Sequence, residues 1–346
     1  MNPRKPIPPR LVDLHVDWSL QYAGESTLFH PDSYADIPVR LPQVDGYLGA
    51  TRAAVLACYR DAEDWAHQPD PWQALIAQIT ALESEFSGRI LMGPDDLAFW
   101  QSEPDQLCWG VLGVEGFDAL IRTRADLDRL APLFHRGVRV FQPTYLATSL
   151  LAGSSQSKDD RGLLDLGRDF LATLLSLAPP ANEPGPRPIL DLAHLNPLSC
   201  SQVLDWYESD PTHAERLPVV YSHGTIAHPA FDHPRALSQP NLVRLRALGG
   251  TIGLSVTPPF TTSPDHLKSL IETAAAIPFK GEPGLGGIAI GTDFLGVGTT
   301  HPTLSNAEQI TNWLAESFNP ADAKALAAEN ALELIGRACG GSHPQG

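Results

Sequence analysis

The sequence predicts an α/β fold, a (β/α)8 TIM barrel, and two observations lead to it. Short apolar runs rich in β-forming residues recur eight times along the 346-residue chain, and longer segments with apolar residues at helical spacing separate them. Alternating strands and helices are typical of a parallel sheet, and eight alternations favour its closure into a barrel. Such barrels form one domain of ~250 residues or more. We therefore expect a single domain over residues 1–346, with an N-terminal extension at 1–9 and a long loop at 17–52.

Each predicted strand is a short apolar run bounded by polar or turn-forming residues. The eight runs span residues 9–14, 53–59, 107–114, 138–141, 188–192, 218–221, 251–256 and 287–291. The predicted helices cover 72–86, 125–134, 163–177, 199–208, 242–248, 264–276 and 305–318. A last helix is predicted to begin at Pro320, where the missing N–H is tolerated, and to end before Gly336.

The composition limits the partners that the chain can bind. Forty acidic residues against 24 basic ones give a formal charge of −16, which disfavours binding to a nucleic acid. The hydrophobic content of 43% provides a large core, and the four scattered cysteines are predicted to be reduced core residues. The sequence shows no signal peptide and no apolar stretch of ~20 residues, so we expect a cytoplasmic protein with no membrane partner.

Six residues that can bind metal or transfer protons follow the predicted strands. They are His15 and Asp17 after the first strand, Glu115 after the third, His194 after the fifth, His223 after the sixth and Asp293 after the eighth. A barrel carries its active site at the C-terminal ends of its strands, so all six are expected at one rim. Residues two positions apart in an extended strand face the same side, so His15 and Asp17 can converge on one ion.

Each of these residues alone also has an ordinary structural interpretation. His194 or His223 could be a core histidine that is satisfied by a backbone carbonyl, and Asp293 could be a helix cap or a turn residue. Six such groups at one barrel end are different, because burying several carboxylates and imidazoles without a cation is costly in desolvation and repulsion. Together they indicate a metal centre.

The types of side chain indicate which metal is bound. Imidazole and carboxylate ligands without a thiolate suit zinc, with manganese, cobalt or iron as substitutes, whereas magnesium and calcium prefer mostly oxygen. A bridging Glu115 could join an ion held by His15 and Asp17 to a second ion held by His194 and His223. We therefore predict two Zn²⁺ ions, or two other divalent metals, ~3.5–4 Å apart, and metal-assisted hydrolysis.

From about Leu11 to Arg337 the chain resembles the membrane (renal) dipeptidase family of the amidohydrolase superfamily. The matching segments are Asp13-Leu14-His15-Val16-Asp17, Gly113-Val114-Glu115-Gly116, Gly137-Val138-Arg139, Asp191-Leu192-Ala193-His194, Tyr221-Ser222-His223, His233-Pro234-Arg235, Gly291-Thr292-Asp293-Phe294 and Glu329-Asn330-Ala331-Leu332. The resemblance implies a barrel of the metal-dependent hydrolase type, a binuclear zinc centre bridged by a glutamate, and hydrolysis of dipeptides, often with tolerance of a D-residue at the C-terminal side. It implies as metal ligands His15, Asp17, Glu115, His194 and His223, and as acid/base Asp293.

Two further expectations concern residues near the substrate. A carboxylate at the rim of the eighth strand, Asp293, can accept the proton of the attacking water and return it to the departing amine. The resemblance implies that Arg235 binds the terminal carboxylate of the substrate by a bidentate fork; the alternative is a surface arginine beside a turn. His228 and His233 are predicted to be loop residues without a metal role. The glycine-rich segment 284–287 precedes a strand and is predicted to be a turn, not a phosphate-binding loop.

The sequence departs from the family pattern around the substrate. Tyr145 stands where the family usually has a histidine that donates to the substrate carbonyl oxygen. We predict that Tyr145 is the catalytic and substrate-binding oxyanion donor, and a packing aromatic is the alternative. The seventh strand leads into Pro258-Pro259 instead of the family's usual aromatic-rich ending, and Phe294-Leu295-Gly296 lacks the second aspartate that usually follows the catalytic one. These departures indicate a retained metal centre with an altered specificity pocket.

We therefore predict a binuclear zinc hydrolase that cleaves dipeptides or similar small amides by means of a metal-bound hydroxide. Two alternatives stay open: an amidohydrolase acting on a non-peptide amide, lactam or ester, and a non-catalytic barrel that retains metal or binds a small ligand. The presence of Asp293, which is not needed as a ligand, argues against the second. The expected partner is a small-molecule or dipeptide substrate. The sequence leaves open the native metal, the stereochemical preference and the oligomeric state, a homodimer included.

Overall fold

The structure is a computed structural model that describes residues 9–21, 46–59, 68–102, 107–145, 149–155, 160–258, 260–297 and 300–340. Eight strands form one parallel sheet, in which each strand pairs with the next barrel strand along the chain. The strands are Leu11–Val16, Thr51–Cys58, Trp109–Glu115, Val138–Gln142, Ile189–Asp191, Val219–Tyr221, Thr251–Leu254 and Ile288–Ile290. The predicted α/β barrel is therefore confirmed, with its eight strands in sequence order.

The first and eighth strands meet just beyond the sheet and close the barrel. The Asp293 N–H donates to the His15 carbonyl at 3.0 Å, and the Asp17 N–H donates to the Phe294 carbonyl at 2.9 Å. Val16 and Phe294 also form an isolated parallel bridge. Closure therefore ties the backbone of His15 to that of the predicted acid/base Asp293, and the backbone of Asp17 to the residue that follows it.

Three strands end later than predicted, and in the first and the third this changes where a site residue lies. The first strand continues to Val16 instead of ending at Leu14, so His15 lies inside it. Its pairing with the second strand explains the extension, because Val16 still pairs with Leu56. Glu115 is the last residue of the third strand and not the first residue after it.

Helices cover the strands on the outside of the barrel. They are Tyr47–Ala50, Pro71–Glu85, Pro94–Ser102, Leu130–His135, Asp165–Leu177, Pro197–Glu208, Thr212–Arg216, Gln239–Ala247, Pro264–Ala275, Ala307–Ser317, Pro320–Lys324 and Asn330–Ala338, with a π-helical turn at Ala325–Glu329 and 3-10 segments at Trp18–Gln21, Phe117–Ala119 and Arg124–Arg129. The side chain of Asn196 accepts from the Ser199 N–H at 2.7 Å and caps the helix that Pro197 begins. The predicted start at 199 is late because apolar spacing becomes visible only inside the first turn.

The end predicted for the last helix is wrong. The helix continues through Gly336 to Ala338. A side chain at Gly336 would meet no atom within 4 Å in the described part of the chain, so this glycine has no stop function. The Asn330 amide donates to the carbonyls of Leu285 at 2.8 Å and Ile288 at 2.7 Å, which fixes the helix to the start of the eighth strand.

The loop predicted at 17–52 is shorter at both ends. Trp18–Gln21 is a 3-10 segment, Tyr47–Ala50 is helical, and the second strand begins at Thr51. Residues 22–45 of this loop, and residues 1–8 of the predicted N-terminal extension, lie outside the described residues.

Two apolar clusters form the core. The larger contains strand residues such as Leu56 together with helix residues such as Leu75, both 0% exposed. The smaller joins Val111 and other strand residues to Ile335 of the last helix. Burial of these side chains stabilises the barrel and leaves its C-terminal rim for polar residues. Among the described residues, no helix is long and apolar enough to cross a membrane.

Candidate metal centre

The five predicted metal ligands converge around one carboxylate at the C-terminal rim of the barrel. The Oε2 atom of Glu115 lies 3.5 Å from the Nε2 atom of His15, which is itself 3.5 Å from the Oδ1 atom of Asp17. The other oxygen, Oε1, lies 3.1 Å from Nε2 of His194 and 3.4 Å from Nε2 of His223. Glu115 therefore directs one oxygen toward His15 and the other toward His194 and His223, and the rings of His15 and His223 also pack together with centres 3.8 Å apart.

The donor atoms of this cluster fit a bound cation. The Nε2 atoms of His194 and His223 are only 3.0 Å apart, a distance at which two unprotonated nitrogens repel unless a proton or a metal lies between them. The Nε2 atom of His15 and the Oδ1 atom of Asp17 are buried, and neither has a hydrogen-bond partner among the described residues. Buried polar atoms are normally paired, so these orphans indicate a ligand role.

Burial and mutual charge decide the protonation of the cluster. Burial raises the pKa of Asp17 well above its usual range, and the nearby Glu115 charge adds to this. Burial also acts to raise the pKa of Glu115, but the three surrounding imidazoles outweigh it and lower that pKa well below the usual range. Burial, and then the charge of Arg235, lower the pKa of His194 to about 4. Glu115 is therefore anionic and His194 neutral, which are the forms that bind a metal.

Neighbouring side chains orient the ligands. The Oγ atom of Ser222 lies 2.8 Å from Nδ1 of His223, so that Nε2 is left to face the site. The Gln142 amide donates to Oε1 of Glu115 at 3.3 Å and fixes the carboxylate from the side of the fourth strand. Neither Ser222 nor Gln142 is predicted from the sequence, because neither is a ligand type or has a diagnostic spacing.

Two further carboxylates support the segments that carry the metal ligands, and neither was predicted from the sequence as a site residue. Asp13 accepts from the His15 N–H at 3.2 Å and from the hydroxyls of Thr292 at 2.6 Å and Tyr47 at 2.8 Å, and so joins the first and eighth strands. Oδ1 of Asp191 accepts from the N–H groups of two residues next to His194 and His223, Ala193 and Ser222, at 3.0 Å each. Their position in the sequence could have identified them, because each acid lies two or three residues before a ligand histidine.

Asp293 joins the same site from the eighth strand. Its carboxylate lies within 4.8 Å of the donor atoms of His15 and Asp17. Burial raises the pKa of Asp293 to about 6, although the nearby charges of His15 and Arg235 act to lower it. Asp293 and His194 both have positive φ angles, 59° and 68°. Such left-handed backbone is uncommon outside glycine and often marks functional residues.

Arg235 lies in the interior and not on the surface. Its guanidinium lies 4.7 Å from the centre of the Phe260 ring, and only 6% of the residue is exposed. The Nε and Nη2 atoms are buried, and neither finds a hydrogen-bond partner in the residues that the structure describes. The surface alternative for Arg235 is therefore wrong. Burial is the main cause that lowers the pKa of His194 and of His223, and the charge of Arg235 adds to it at both residues, after that of His15 in the case of His223.

Tyr145 lies against one of the ligands. The centre of its ring is 4.5 Å from that of His194 and 4.6 Å from that of Tyr59, and its N–H donates to Oδ2 of Asp118 at 3.2 Å. Gly116 makes room for it, because a Cβ atom there would lie 2.9 Å from Cβ of Tyr145. Tyr145, which stands where the family usually has a histidine, therefore packs against a predicted metal ligand.

The remaining predictions near the site concern loops. His228 and His233 lie outside the ligand cluster, in the segment that joins two short strands, Thr225–Ile226 and Ala236–Leu237. This pair of strands was not predicted, because two residues give no periodic pattern. The glycine-rich segment 284–287 forms the turn that was predicted before the eighth strand, with positive φ at its first and last residues.

Comparison with known proteins adds a family and a set of similar folds. The chain matches the family model described as membrane dipeptidase (peptidase family M19) over residues 49–340. No curated protein matches it. Among solved structures it is similar to dipeptidase AC, a metallopeptidase of family M19, with 19% identity, a TM-score of 0.70, and coverage of 96% of this chain and 100% of that one.

Two further structures share the fold. A metallopeptidase from Rhodobacter sphaeroides, liganded with a phosphinate mimic of the dipeptide L-Ala-D-Ala, is 18% identical with a TM-score of 0.69, covering 96% of this chain and 100% of that one. An amidohydrolase from Pseudomonas aeruginosa is 17% identical with a TM-score of 0.67, covering 96% and 97%. At these identities the similarity concerns the fold.

Proposed function

The chain belongs to the membrane dipeptidase family, and from that membership we propose that it hydrolyses dipeptides or similar small amides with two zinc ions. The family match confirms the resemblance predicted from the sequence and makes the chain a metal-dependent hydrolase of dipeptidase type. The observation that carries the finer proposal is Glu115, whose two oxygens face different imidazoles. One carboxylate shared between two groups of ligands is expected of a bridge between two ions.

We assign His15 and Asp17 to one ion, His194 and His223 to the other, and Glu115 to both. Nε2 of His15 and Oδ1 of Asp17, which lie 3.5 Å apart and have no hydrogen-bond partner in the described part of the chain, support the first group. The 3.0 Å approach of two imidazole nitrogens supports the second. Nitrogen and carboxylate donors favour zinc over magnesium or calcium. When bound, the two ions would polarise the scissile carbonyl and lower the pKa of the attacking water.

The other side chains of the site would bind the substrate and move protons. Asp293, within reach of both His15 and Asp17, would take a proton from the attacking water and return it to the leaving amine. Arg235 would bind the free carboxylate of a dipeptide through Nε and Nη2, the two nitrogens that have no hydrogen-bond partner among the described residues. Tyr145, which lies against His194, would donate to the developing oxyanion.

A substrate panel tests this proposal against its nearest rival. The zinc-loaded protein is given dipeptides with L- or D-residues at the C-terminal side, and in parallel N-acyl amino acids, lactams and lactones. We expect kcat/KM to be highest for dipeptides. The rival is an amidohydrolase of non-peptide amides, lactams or esters, and it is supported by Tyr145, which stands where the family usually has a histidine. It predicts a lower kcat/KM for dipeptides than for the other compounds. Full metal occupancy without turnover of any member would instead indicate a non-catalytic barrel.

Arg235→Met should weaken the binding of substrates that carry a free carboxylate. Methionine keeps much of the apolar volume but loses the charged fork, so KM for a dipeptide should rise by about 10- to 100-fold. The C-terminal amide of the same dipeptide should be affected far less. Steady-state kinetics on the acid and amide pair measures this, with the exposed Arg168→Met as control. Equal losses on acid and amide would make Arg235 a structural residue.

Tyr145→Phe removes only a hydroxyl and should slow the reaction without releasing metal. Loss of one oxyanion donor should lower kcat/KM by about 10- to 10³-fold, which corresponds to roughly 1.4–4 kcal/mol of transition-state stabilisation. Kinetics and metal analysis on the same preparation separate this effect from loss of the centre. If the variant hydrolyses its best substrate at the parent rate, Tyr145 is a packing aromatic.

Gly296→Ala should remove one metal ion and leave the other. A Cβ atom at this glycine would meet Oδ2 of Asp17 and would lie 3.0 Å from Oδ1 of Asp293, so the new methyl group must displace a ligand of the first ion, and metal content rather than activity is the readout. His194 and His223 are untouched. The metal content should therefore fall from two ions per chain to about one. Gly336→Ala, where a Cβ atom meets no described neighbour within 4 Å, is the control. Two retained ions in Gly296→Ala would contradict the role given to Asp17.

A further inference from the structure

Arg235 is held at three points before any substrate arrives. The Arg235 N–H donates to Nδ1 of His233 at 3.1 Å, and its carbonyl accepts from the Tyr221 hydroxyl. Its guanidinium lies over Phe260. The backbone is thus fixed on both sides of the residue, and an aromatic ring supports the end of the side chain.

The neighbouring chain is built to keep these supports in place. Arg235 directly precedes the short strand Ala236–Leu237, which pairs with Thr225–Ile226. The rings of His233 and Phe260 pack edge to face with centres 5.0 Å apart, so the two supports also contact each other. Phe260 is 3% exposed and fixed in a turn in which its N–H donates to the carbonyl of Thr257 at 2.9 Å.

The hydrogen-bonding atoms of the guanidinium, in contrast, are left for a ligand. Nε and Nη2 are both buried, and within the described part of the chain neither has a partner. A planar fork held in one orientation with two free donors fits a carboxylate, and less entropy is lost on binding when the fork is already ordered.

We propose that His233, Tyr221 and Phe260 are positioning residues that hold Arg235 ready for a substrate carboxylate and thereby set the selectivity for substrates with a free C-terminus. The proposal rests on the proposed function, since it assumes that Arg235 faces the substrate. His233 must offer Nδ1 as an acceptor, so its ring is neutral with the proton on Nε2. Burial, and then the charge of Arg235, lower the pKa of His233 and favour that form, against the smaller opposite effect of Asp232.

The first test measures the order of the Arg235 side chain directly. Nitrogen relaxation of its Nε–H group should give an order parameter of ~0.8 or more in the parent protein and a value below ~0.6 in Phe260→Leu, because leucine fills space but offers no π face. The matched control is Phe279→Leu. The Phe279 ring lies beneath another guanidinium, that of Arg246, at 5.5 Å from the ring centre, and its turn carries no site residue. An Arg235 side chain that is mobile in the parent, or equally ordered in Phe260→Leu, would overturn the proposal.

The second test measures selectivity with L-Ala-D-Ala and its C-terminal amide. Phe260→Leu should raise KM for the acid by about 3- to 30-fold, with a smaller change in kcat and little change for the amide. His233→Ala should act in the same direction. His233→Asn should restore the acid preference, because an asparagine oxygen can accept from the N–H two residues later, as the imidazole does. Failure of this rescue, or equal losses on acid and amide, would make these residues merely structural.

The two tests separate this inference from the function on which it rests. Relaxation of Arg235 needs no turnover, and the Kd of the phosphinate mimic of L-Ala-D-Ala reports binding without hydrolysis. A parent protein that orders Arg235 and binds the mimic without hydrolysing dipeptides would end the dipeptidase proposal and support the positioning role. A parent protein that hydrolyses L-Ala-D-Ala while its Arg235 side chain is mobile would support the dipeptidase proposal and end the positioning role.

Discussion

Glu115→Gln should reduce metal binding at both halves of the centre. The carboxylate lies within 3.5 Å of Nε2 atoms on both the His15 side and the His194–His223 side, and glutamine has the same size but no charge. Loss of an indirect, second-layer partner of a metal ligand costs ~10–100-fold in affinity, so loss of the bridge should cost more. Metal analysis after dialysis should show well under two ions per chain, and hydrolysis should fall with it.

The control for this variant is Glu316→Gln, on the exposed face of the helix Ala307–Ser317. It removes the same charge without touching the centre and should keep both metal and activity. If Glu115→Gln keeps full occupancy at both sites, Glu115 does not bridge, and the two groups of ligands act independently.

Asp293→Asn should abolish most of the activity while the metals stay bound. Asparagine keeps the size of the side chain and tolerates left-handed backbone, so the φ of 59° at this position should be preserved. In the proposed mechanism the variant loses the group that moves the proton, so kcat should fall by roughly 10²–10⁴-fold. KM should change far less, because Arg235, the group proposed to bind the substrate carboxylate, is unchanged.

Metal analysis and steady-state kinetics on the same sample check this result. Asp128→Asn, an exposed aspartate at the side of the barrel, controls for general loss of charge. A near-normal kcat in Asp293→Asn would exclude Asp293 as the acid/base. Loss of metal in parallel with kcat would make it a ligand of the first ion, a role that its proximity to His15 and Asp17 allows.

The barrel and most of the centre could be predicted from the sequence for a physical reason. Parallel strands bring their C-terminal ends to one rim, so the order of strands is enough to gather His194 and His223 around Glu115. The exact strand ends could not be predicted, because they depend on pairing such as that of Val16 with Leu56. Hence His15 lies within its strand, although it was expected after it.

Other features depend on contacts that a single sequence does not display. The burial of Arg235 over Phe260 joins residues 25 positions apart through a loop and a turn, neither of which has a periodic pattern. The space that Gly296 leaves for Asp17 depends on a contact between the segments that follow the first and the eighth strands. The continuation of the last helix through Gly336 reflects the anchoring of Asn330 on the eighth strand, which outweighs the low helix propensity of one glycine.

The central claim is that one bridging glutamate holds two zinc ions in a dipeptide-hydrolysing centre. The most direct measurement is the metal content of purified protein by mass spectrometry, taken on the sample whose hydrolysis of L-Ala-D-Ala is measured. We expect close to two zinc ions per chain, loss of activity when a chelator removes them, and recovery when zinc is restored. A preparation that hydrolyses the dipeptide at full rate with no bound metal would contradict the account.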